Sequence, residues 1–270
     1  MKKKLKLVAL SGLAILVLTG CGRTDITGQS SGLWEQFVYG FAQIIHFLSF
    51  GGLVGLGIIL FTLIIKTLLL PLMHVQTKST RKMQEVQPEL KKIQAQYPGK
   101  DAESKRIVAE KTQELYAENG VNPYMGCLPL LVQMPILWAL YQAITRFDFL
   151  RDGHCVWCDI SGHDPYVVLP ILAALFTFPS SWLTMKATPE KNAMTTSMTY
   201  VMPILIFVMG VSVAAGVALY WTVSNAYQVF QTLLLNNPFK LQEERDAKAN
   251  AEKNKEKARQ KALAKAKKKK

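Results

Sequence analysis

The chain has 270 residues, of which 50% are hydrophobic, and a formal net charge of +13. This combination is unusual for a soluble domain and suits a membrane protein whose basic segments face water. Four apolar runs hold at least the roughly 20 residues that cross a bilayer, which excludes an ordinary soluble fold. They are residues 53–73, in which Lys66 is the only charge, and the charge-free residues 124–145, 166–185 and 194–235.

The N-terminal residues 1–20 predict a lipoprotein signal peptide. A basic start and a short apolar core precede Leu18-Thr19-Gly20-Cys21, and this pattern is too short for a membrane span. The last four residues resemble a bacterial lipobox. The resemblance implies that Cys21 is the lipid-modified first residue of the mature chain, with palmitate as an expected acyl group. The alternative is an ordinary signal peptide with a chance cysteine.

Residues 21–52 are predicted to form an extracytoplasmic tether and an amphipathic helix on the outer membrane surface. The segment 33–50 is apolar but also contains Glu35, Gln36, Gln43 and His46. The alternative is an extension of the first span. Gly51-Gly52 favours a break between the two.

The core, residues 53–235, is predicted to cross the membrane five times. The run 194–235 is about twice the length of one span and can hold two helices hinged near residues 210–216. Loops that keep Lys and Arg lie in the cytoplasm, and such residues crowd the segment after the first span and the C-terminal segment. The mature N-terminus is therefore expected outside the bacterial plasma membrane and the C-terminus inside.

Residues 78–120 are predicted to form a cytoplasmic antiparallel helical hairpin. The first helix has coiled-coil spacing at Met83, Val86, Leu90, Ile93 and Tyr97. Pro98-Gly99 ends that helix, Asp101 can cap the second, and Asn119-Gly120 ends it.

The tail, residues 236–270, is rich in Lys, Ala and Glu and carries no core-forming pattern. It is therefore predicted to be disordered or only weakly helical when free. Its basic end suits anionic lipid or nucleic acid, without a specific nucleic-acid sequence. The alternative is an anchor that only fixes the topology.

Lys66 indicates a polar groove between the helices. It lies eight residues before His74, about 12 Å along a helix, so its side chain can reach only part of the way to water. Leaving it in lipid costs roughly 3 kcal/mol by insertion scales. For a single serine or threonine, an interhelical hydrogen bond in a dry bundle is the alternative. The residues predicted to line the groove are Lys66, Thr62, Gln133, Ser180, Ser181, Trp221, Ser224, Asn225 and Gln228.

Other chemistry has weak support in the sequence. No predicted span contains Asp or Glu, which argues against an ion-coupled transporter. The chain has no nucleophile–base–acid set, phosphate loop or HExxH pattern, so no enzyme activity, metal or cofactor is expected. Cys155 and Cys158 form an extracytoplasmic CxxC that suits a disulfide, a metal site or a redox pair. A simple disulfide or free thiols are favoured.

Three segments resemble the YidC/Oxa/Alb family of membrane insertases. GVNPYMGCLPLLVQMPILWALYQAI (residues 120–144) resembles its second span, and LIIKTLLLPLMHVQTKSTRKMQEVQPELKKIQAQYP (63–98) its first span and hairpin. MPILIFVMGVSVAAGVALYWTVSNAYQVFQ (202–231) is similar to its last two spans. The lipobox and the small outer region match the Gram-positive version. This chain departs from the family in having Lys66 where an Arg is usual, and Ser180 or Ser181 where the third span often has a Gln.

The resemblance implies an insertase and not an enzyme. Nascent membrane proteins would enter through a positively charged, inward-open groove, with Lys66 attracting acidic residues. Membrane lipids, the Sec translocon and, through the basic tail, the ribosome are the expected further partners. The alternative functions are an anion-binding channel or transporter that uses Lys66, and a lipoprotein with a purely structural role.

Overall fold

The computed structural model describes residues 26–99, 101–188 and 193–268. The predicted signal peptide and Cys21 lie outside these ranges. Within them the fold is all-helical, as predicted, and the only β-type pairing is an isolated bridge between His154 and Asp159.

Eleven α-helices and one 3₁₀ turn are found in the described part of the chain. In order they are α1 (Leu33–Leu48), α2 (Val54–Leu68), α3 (Leu70–Glu85), α4 (Gln87–Gln96), α5 (Ala102–Glu118), the turn Pro123–Cys127, α6 (Leu128–Arg146), α7 (Asp148–Arg151), α8 (Val168–Ala187), α9 (Ala193–Ser212), α10 (Ala215–Leu235) and α11 (Pro238–Lys268). They divide into two compact units. The first comprises the described residues within Met1–Leu69, Cys127–Leu175 and Pro203–Asn225, and the second those within Leu70–Gly126, Phe176–Met202 and Ala226–Lys270.

Two helices among the described residues are long and apolar enough to cross a membrane: Pro123–Arg146, which includes the 3₁₀ turn, and Val168–Ala187. A third candidate exists if Val54–Leu68 and Leu70–Gln96, which meet at a bend of 56°, count as one broken span. Thr196–Ser212 is a shorter apolar helix. The predicted count of five spans therefore stays a prediction. The break within the last apolar run lies at residues 213–214, inside the predicted hinge range.

The first predicted span, residues 53–73, is not one continuous helix. α2 ends at Leu68 and α3 begins at Leu70. Pro71 occupies the second position of α3, where its missing N–H is tolerated. Within a continuous helix it would remove a hydrogen bond and its ring would clash with the preceding turn. The proline therefore explains why the apolar run is divided.

The first unit is built around contacts that α1 makes with α2 and α6. One face of α1 is buried, and Trp34 Nε1 donates a hydrogen bond to Gln142 Oε1 of α6 over 3.3 Å. The helix ends before Gly51 and Gly52, whose φ angles of +81° and +125° lie in the region that favours glycine. The predicted break is thereby confirmed, and α1 is separate from α2. Its placement on the outer membrane surface stays a prediction.

A loop with one disulfide, residues 152–167, is tied to the N-terminal ends of three helices of this unit. We name it the disulfide loop. Its backbone oxygens accept hydrogen bonds from Gly55 N of α2 (3.3 Å, from His154) and Gly216 N of α10 (2.8 Å, from Ile160). Asp164 Oδ2 accepts from Leu169 N of α8 at 2.7 Å. These N–H groups have no partner within their own helices, so the loop satisfies donors that three helix ends would otherwise leave open.

The fit of the disulfide loop against α2 depends on a glycine. A side chain at Gly55 would place its Cβ 3.2 Å from Cys155 Cα, which is a backbone atom that cannot move easily. Cys155 and Cys158 are joined as a disulfide, and Cys155 N also donates to Cys158 O over 2.7 Å. Cys155 and Cys158 are therefore a disulfide in the structure, and not free thiols or metal ligands.

The second unit contains the predicted hairpin. Asp101 caps α5 as predicted, since its carboxylate accepts a hydrogen bond from Ser104 N at 2.8 Å. This bond lowers the pKa of the Asp101 carboxyl. The buried residues between the helices are Val86, Leu115 and Val121, with Met83, Leu90, Ile93 and Tyr116 packed against them.

The first arm of the hairpin differs from its prediction in being divided. α3 ends at Glu85 and α4 starts at Gln87, with Pro88 in its first turn. A proline at that position starts a helix and does not continue one. The apolar seam still runs across the division, because Val86 at the junction is buried.

The tail is helical over its described length, so the prediction of disorder or weak helicity is wrong for this structure. α11 extends from Pro238, and Asn237 Oδ1 caps it by accepting from Phe239 N at 3.0 Å. Ala, Lys, Glu, Gln and Arg dominate its sequence and are strong helix formers. Arg81 pairs with Glu244 at 3.1 Å, and Arg245 donates to the backbone oxygen of Ala187. Composition and capping thus outweigh the missing core pattern.

We predict that the disulfide contributes to stability but not to the activity of the protein. Replacing both cysteines, Cys155→Ser with Cys158→Ser, should lower the free energy of unfolding by about 2 kcal/mol, because the closed loop is very short. The measurement is thermal unfolding in detergent with and without reductant.

Two controls define this prediction. Val156→Ser changes an exposed side chain of the same loop and should leave stability unaltered. Reductant should destabilise the wild type but not the double variant. A loss of activity in the double variant as large as that of a Lys66 variant would contradict the prediction.

Candidate functional site

Lys66 lies in the last turn of α2 and is half-buried. Its ammonium Nζ donates a hydrogen bond to Gln133 Oε1 of α6 at 3.3 Å. Gln133 is neutral, so the contact holds the ammonium without cancelling its charge. The positive charge on α2 therefore persists inside the first unit.

Gln133 also makes a second contact through the other end of its amide. Its Nε2 donates to the hydroxyl of Tyr220 on α10, a side chain only 1% exposed. Ser224, one turn further along α10, is within hydrogen-bonding reach of the same hydroxyl. Side chains of three helices thus form one polar chain that ends at the lysine. We name Lys66, Gln133 and Tyr220 the lysine relay.

Carboxylates are absent from the sequence of α2, α6, α8, α9 and α10. Lys66 is therefore not compensated by an acid on any of these helices. Apolar surroundings penalise an ionised group unless polar atoms or water solvate it. The relay supplies one such atom, and an ammonium has two further N–H donors for water or an incoming acidic group.

Thr62 lies one turn before Lys66, as predicted, but its side chain is 0% exposed. Its hydroxyl donates to Ile58 O of its own helix at 2.6 Å. In this conformation Thr62 therefore presents no surface to a substrate. A threonine that bonds back to its own helix needs no water beside it. The sequence pattern does not reveal such a bond, so it predicted that Thr62 faces the groove.

The predicted polar face of α10 is mainly used for helix packing in the first unit. Asn225 Nδ2 donates to Ala173 O of α8 at 3.4 Å, and its neighbour Thr222 donates to Leu169 O at 3.0 Å. Ser224 is buried, whereas Trp221 is half-buried and packs against the core. Asn225 and Thr222 therefore make hydrogen bonds between helices, which was the alternative to lining a polar groove.

Ser180, Ser181 and Gln228 belong to the second unit and are half-buried there. Their part in a shared groove with Lys66 stays a prediction. The backbone oxygens of Ser180 and Gln228 accept hydrogen bonds from Thr184 and Thr232, one turn further along their helices.

Tyr220 is the functional candidate that the sequence analysis missed. A signal was available, because Tyr220 precedes Ser224 by four residues and so lies on the same face of the helix. The residues predicted to line the groove at this part of α10 were its neighbours Trp221, Ser224 and Asn225. The structure shows that the adjacent face carries the contact to Gln133.

Within residues 26–99, 101–188 and 193–268, no group of three or more His, Cys, Asp or Glu residues lies close enough to hold a metal ion. An open pocket of about 430 Å³ lies beside the disulfide. His154 Nδ1 and Asp159 Oδ1 are 2.6 Å apart at its rim, and both side chains are largely exposed.

The fold and the relay together define an all-helical membrane protein that keeps a lysine on one of five apolar helices, none of which carries a carboxylate. A family model described as 60Kd inner membrane protein matches residues 46–244. The chain belongs to this family, that of the YidC/Oxa1 insertases.

Relatives from three bacteria match nearly the whole chain. The membrane protein insertase YidC 1 of Lactococcus lactis is 64% identical over 248 residues, which is 92% of each chain. The membrane protein insertase YidC of Enterococcus faecalis is 55% identical over 252 residues, again 92% of each chain. The membrane protein insertase YidC 2 of Streptococcus pneumoniae is 51% identical over 255 residues, or 93% of each.

The fold is similar to that of a solved insertase. An active YidC insertase, in a crystal structure that resolves its first transmembrane domain, matches with a TM-score of 0.58 and 28% sequence identity. The match covers 75% of this chain and 47% of that one. The helical fold of the chain is therefore that of an insertase, while the solved protein has extra length outside the match.

Proposed function

We propose that the chain inserts and helps to fold nascent membrane proteins in the bacterial plasma membrane, through a positively charged groove around Lys66. The observation that carries the proposal is the lysine itself, half-buried, bonded to the neutral Gln133 and unmatched by any carboxylate on the five apolar helices. The relatives named as membrane protein insertases support the same reading.

The proposed mechanism is physical and needs no enzyme chemistry. A hydrophilic segment of the substrate is costly to move into lipid, because its polar groups lose their hydrogen bonds to water. Water and polar side chains in the groove lower that cost for part of the path, and Lys66 attracts Asp or Glu of the segment. The apolar helix of the substrate then moves into lipid, and its burial drives completion without a nucleotide.

The proposal includes the topology expected from the sequence. Five spans, a lipid-anchored outer N-terminus at Cys21 and a cytoplasmic C-terminus place the hairpin and α11 where a nascent chain arrives. α1 then lies at the outer surface. Ser180, Ser181, Trp221, Ser224 and Gln228 would complete the groove wall in a more open conformation.

An anion-binding channel or transporter is the second candidate, because the same uncompensated cation would attract an anion. Reconstitution into protein-free liposomes separates the two functions. An insertase integrates a short-tailed substrate protein without an energy source, whereas a transporter moves a radioactive small anion. Anion flux without insertion would overturn the insertase proposal.

The first prediction of the proposal concerns the charge of Lys66. Lys66→Arg should function because the charge is kept, whereas Lys66→Ala and Lys66→Glu should fail on substrates whose translocated segment carries Asp or Glu. Lys66→Ala should still fold, because removing a buried charge relieves a cost of roughly 3 kcal/mol. The measurement is growth complementation together with insertion of matched acidic and neutral substrates.

Lys240→Ala is a matched control, since it removes the same charge from an exposed position on α11. It should behave as wild type in the liposome assay. Equal activity of Lys66→Ala and wild type on every substrate would contradict the charge mechanism.

A second prediction concerns the hairpin. Leu90→Asp with Ile93→Asp places two carboxylates against the buried cluster of Val86, Leu115 and Val121, so the hairpin should separate while the first unit stays folded. Crosslinking of a ribosome-stalled substrate to the protein should fall. Gln94→Asp with Gln96→Asp adds the same charge at exposed positions and is the control. Unchanged crosslinking in the first variant would show that the hairpin is not needed for capture.

A third prediction concerns the tail and the ribosome. Truncation after Asp246 removes the basic end but keeps the Arg81–Glu244 ion pair and the Arg245 contact. Co-sedimentation with ribosomes should fall by about threefold or more at low salt, and the difference should shrink as salt rises. Truncation after Leu241 removes those contacts as well and should bind no better. Full ribosome binding at low salt by the variant truncated after Asp246 would mean that the basic end serves only as a topology anchor.

A further inference from the structure

We propose that Tyr220 is a positioning residue: its hydroxyl anchors the Nε2 end of the Gln133 amide, so that the amide oxygen stays within reach of Lys66 and holds the ammonium in place. The inference rests on the proposed function, in which the charge of Lys66 attracts substrate. It assigns the lysine relay a role beyond the groove lining predicted from sequence.

The two ends of the Gln133 amide have opposite hydrogen-bonding roles. Oε1 only accepts hydrogen bonds and Nε2 only donates them. In the structure Nε2 donates to Tyr220 and Oε1 accepts from Lys66 Nζ at 3.3 Å. A rotation of the amide by 180° would turn its N–H groups toward the ammonium, so that donors would face donors. The ammonium, which can only donate, therefore selects the oxygen end, while the Tyr220 hydroxyl, which can donate or accept, anchors the other end and keeps the amide within reach of Lys66.

Tyr220 is itself held rigidly. Its ring is 1% exposed and belongs to the apolar core of the first unit. Only one turn before it, the start of α10 is bonded to the disulfide loop through Ala215 N and Gly216 N, at 2.6 and 2.8 Å. Thr222, two residues later, donates to Leu169 O of α8. The hydroxyl therefore stands at a defined point that does not depend on the lysine.

A neutral relay suits this particular cation. A carboxylate in the place of Gln133 would bind the ammonium more strongly but would also cancel the charge. A lysine carries a point charge on a flexible four-carbon stem, whereas an arginine presents its donors in a rigid fork. With lysine at this position, the geometry must come from a neighbouring side chain. Gln133, anchored by Tyr220, provides it and leaves the positive charge of Lys66 in place.

The test is a double-mutant cycle of Tyr220→Phe and Lys66→Ala. Purified variants in liposomes are compared by the ratio of acidic to neutral substrate inserted, with matched translocated segments. Tyr220→Phe keeps the ring and removes one hydrogen bond, so the ratio should fall by about threefold to tenfold. In the Lys66→Ala background, Tyr220→Phe should cause no further change in that ratio.

Two further variants separate positioning from a general structural role. Gln133→Met keeps the length of the side chain but has neither end of the amide, and it should lower the ratio at least as far as Tyr220→Phe. Adding Tyr220→Phe to it should change nothing more. Tyr141→Phe makes the same chemical change at an exposed tyrosine of α6 and should keep the wild-type ratio.

The outcomes separate the role of Tyr220 from the charge mechanism of Lys66. If Lys66→Ala lowers the ratio and Tyr220→Phe does not, the inference fails and the proposed function stands. If Tyr220→Phe lowers insertion of both substrates equally, or acts as strongly without Lys66, its role is structural and the inference fails. If Lys66→Ala keeps the ratio, the charge mechanism fails and the positioning role fails with it.

Discussion

The ammonium of Lys66, which finds no carboxylate on the five apolar helices, is the constraint on which the first unit depends. An ionised group among apolar helices must be solvated or paired, and pairing with an acid would remove its charge. The chain meets this constraint with a neutral amide from α6 and a buried hydroxyl from α10. Three helices must therefore keep their relative register for one side chain to remain both charged and held.

Two of these helices, α2 and α10, are also bonded at their N-terminal ends to the disulfide loop, together with α8. Backbone oxygens and the Asp164 carboxylate of the loop accept hydrogen bonds from the first N–H groups of α2, α8 and α10. The loop also packs into the apolar core, where Ile160 is fully buried and Cys158 is 6% exposed. A short, crosslinked loop thus aligns three helices by capping their ends and by apolar contact. The polar chemistry at Lys66 and the capping at the loop are two parts of one arrangement.

Local signals in the sequence predicted much of the fold correctly. The cap at Asp101, the glycine break after α1 and the break in the run 194–235 are confirmed, because each depends on a few neighbouring residues. Pro71, a residue that breaks or kinks helices, divides the first apolar run where it stands. The helical tail was missed, because helix propensity competes there with the lack of a core pattern in α11.

By itself the sequence determined the class of protein, the helices and the presence of one charge that cannot be neutralised within its span. These follow from composition and from spacing along the chain, which need no knowledge of packing. Only the tertiary structure decided that Gln133 and Tyr220 are the partners of Lys66 and that Thr62 and Asn225 bond to backbone oxygens. Gln133 and Lys66 are 67 residues apart, and helical periodicity cannot rank such pairs. The choice depends on which faces the helices turn to one another.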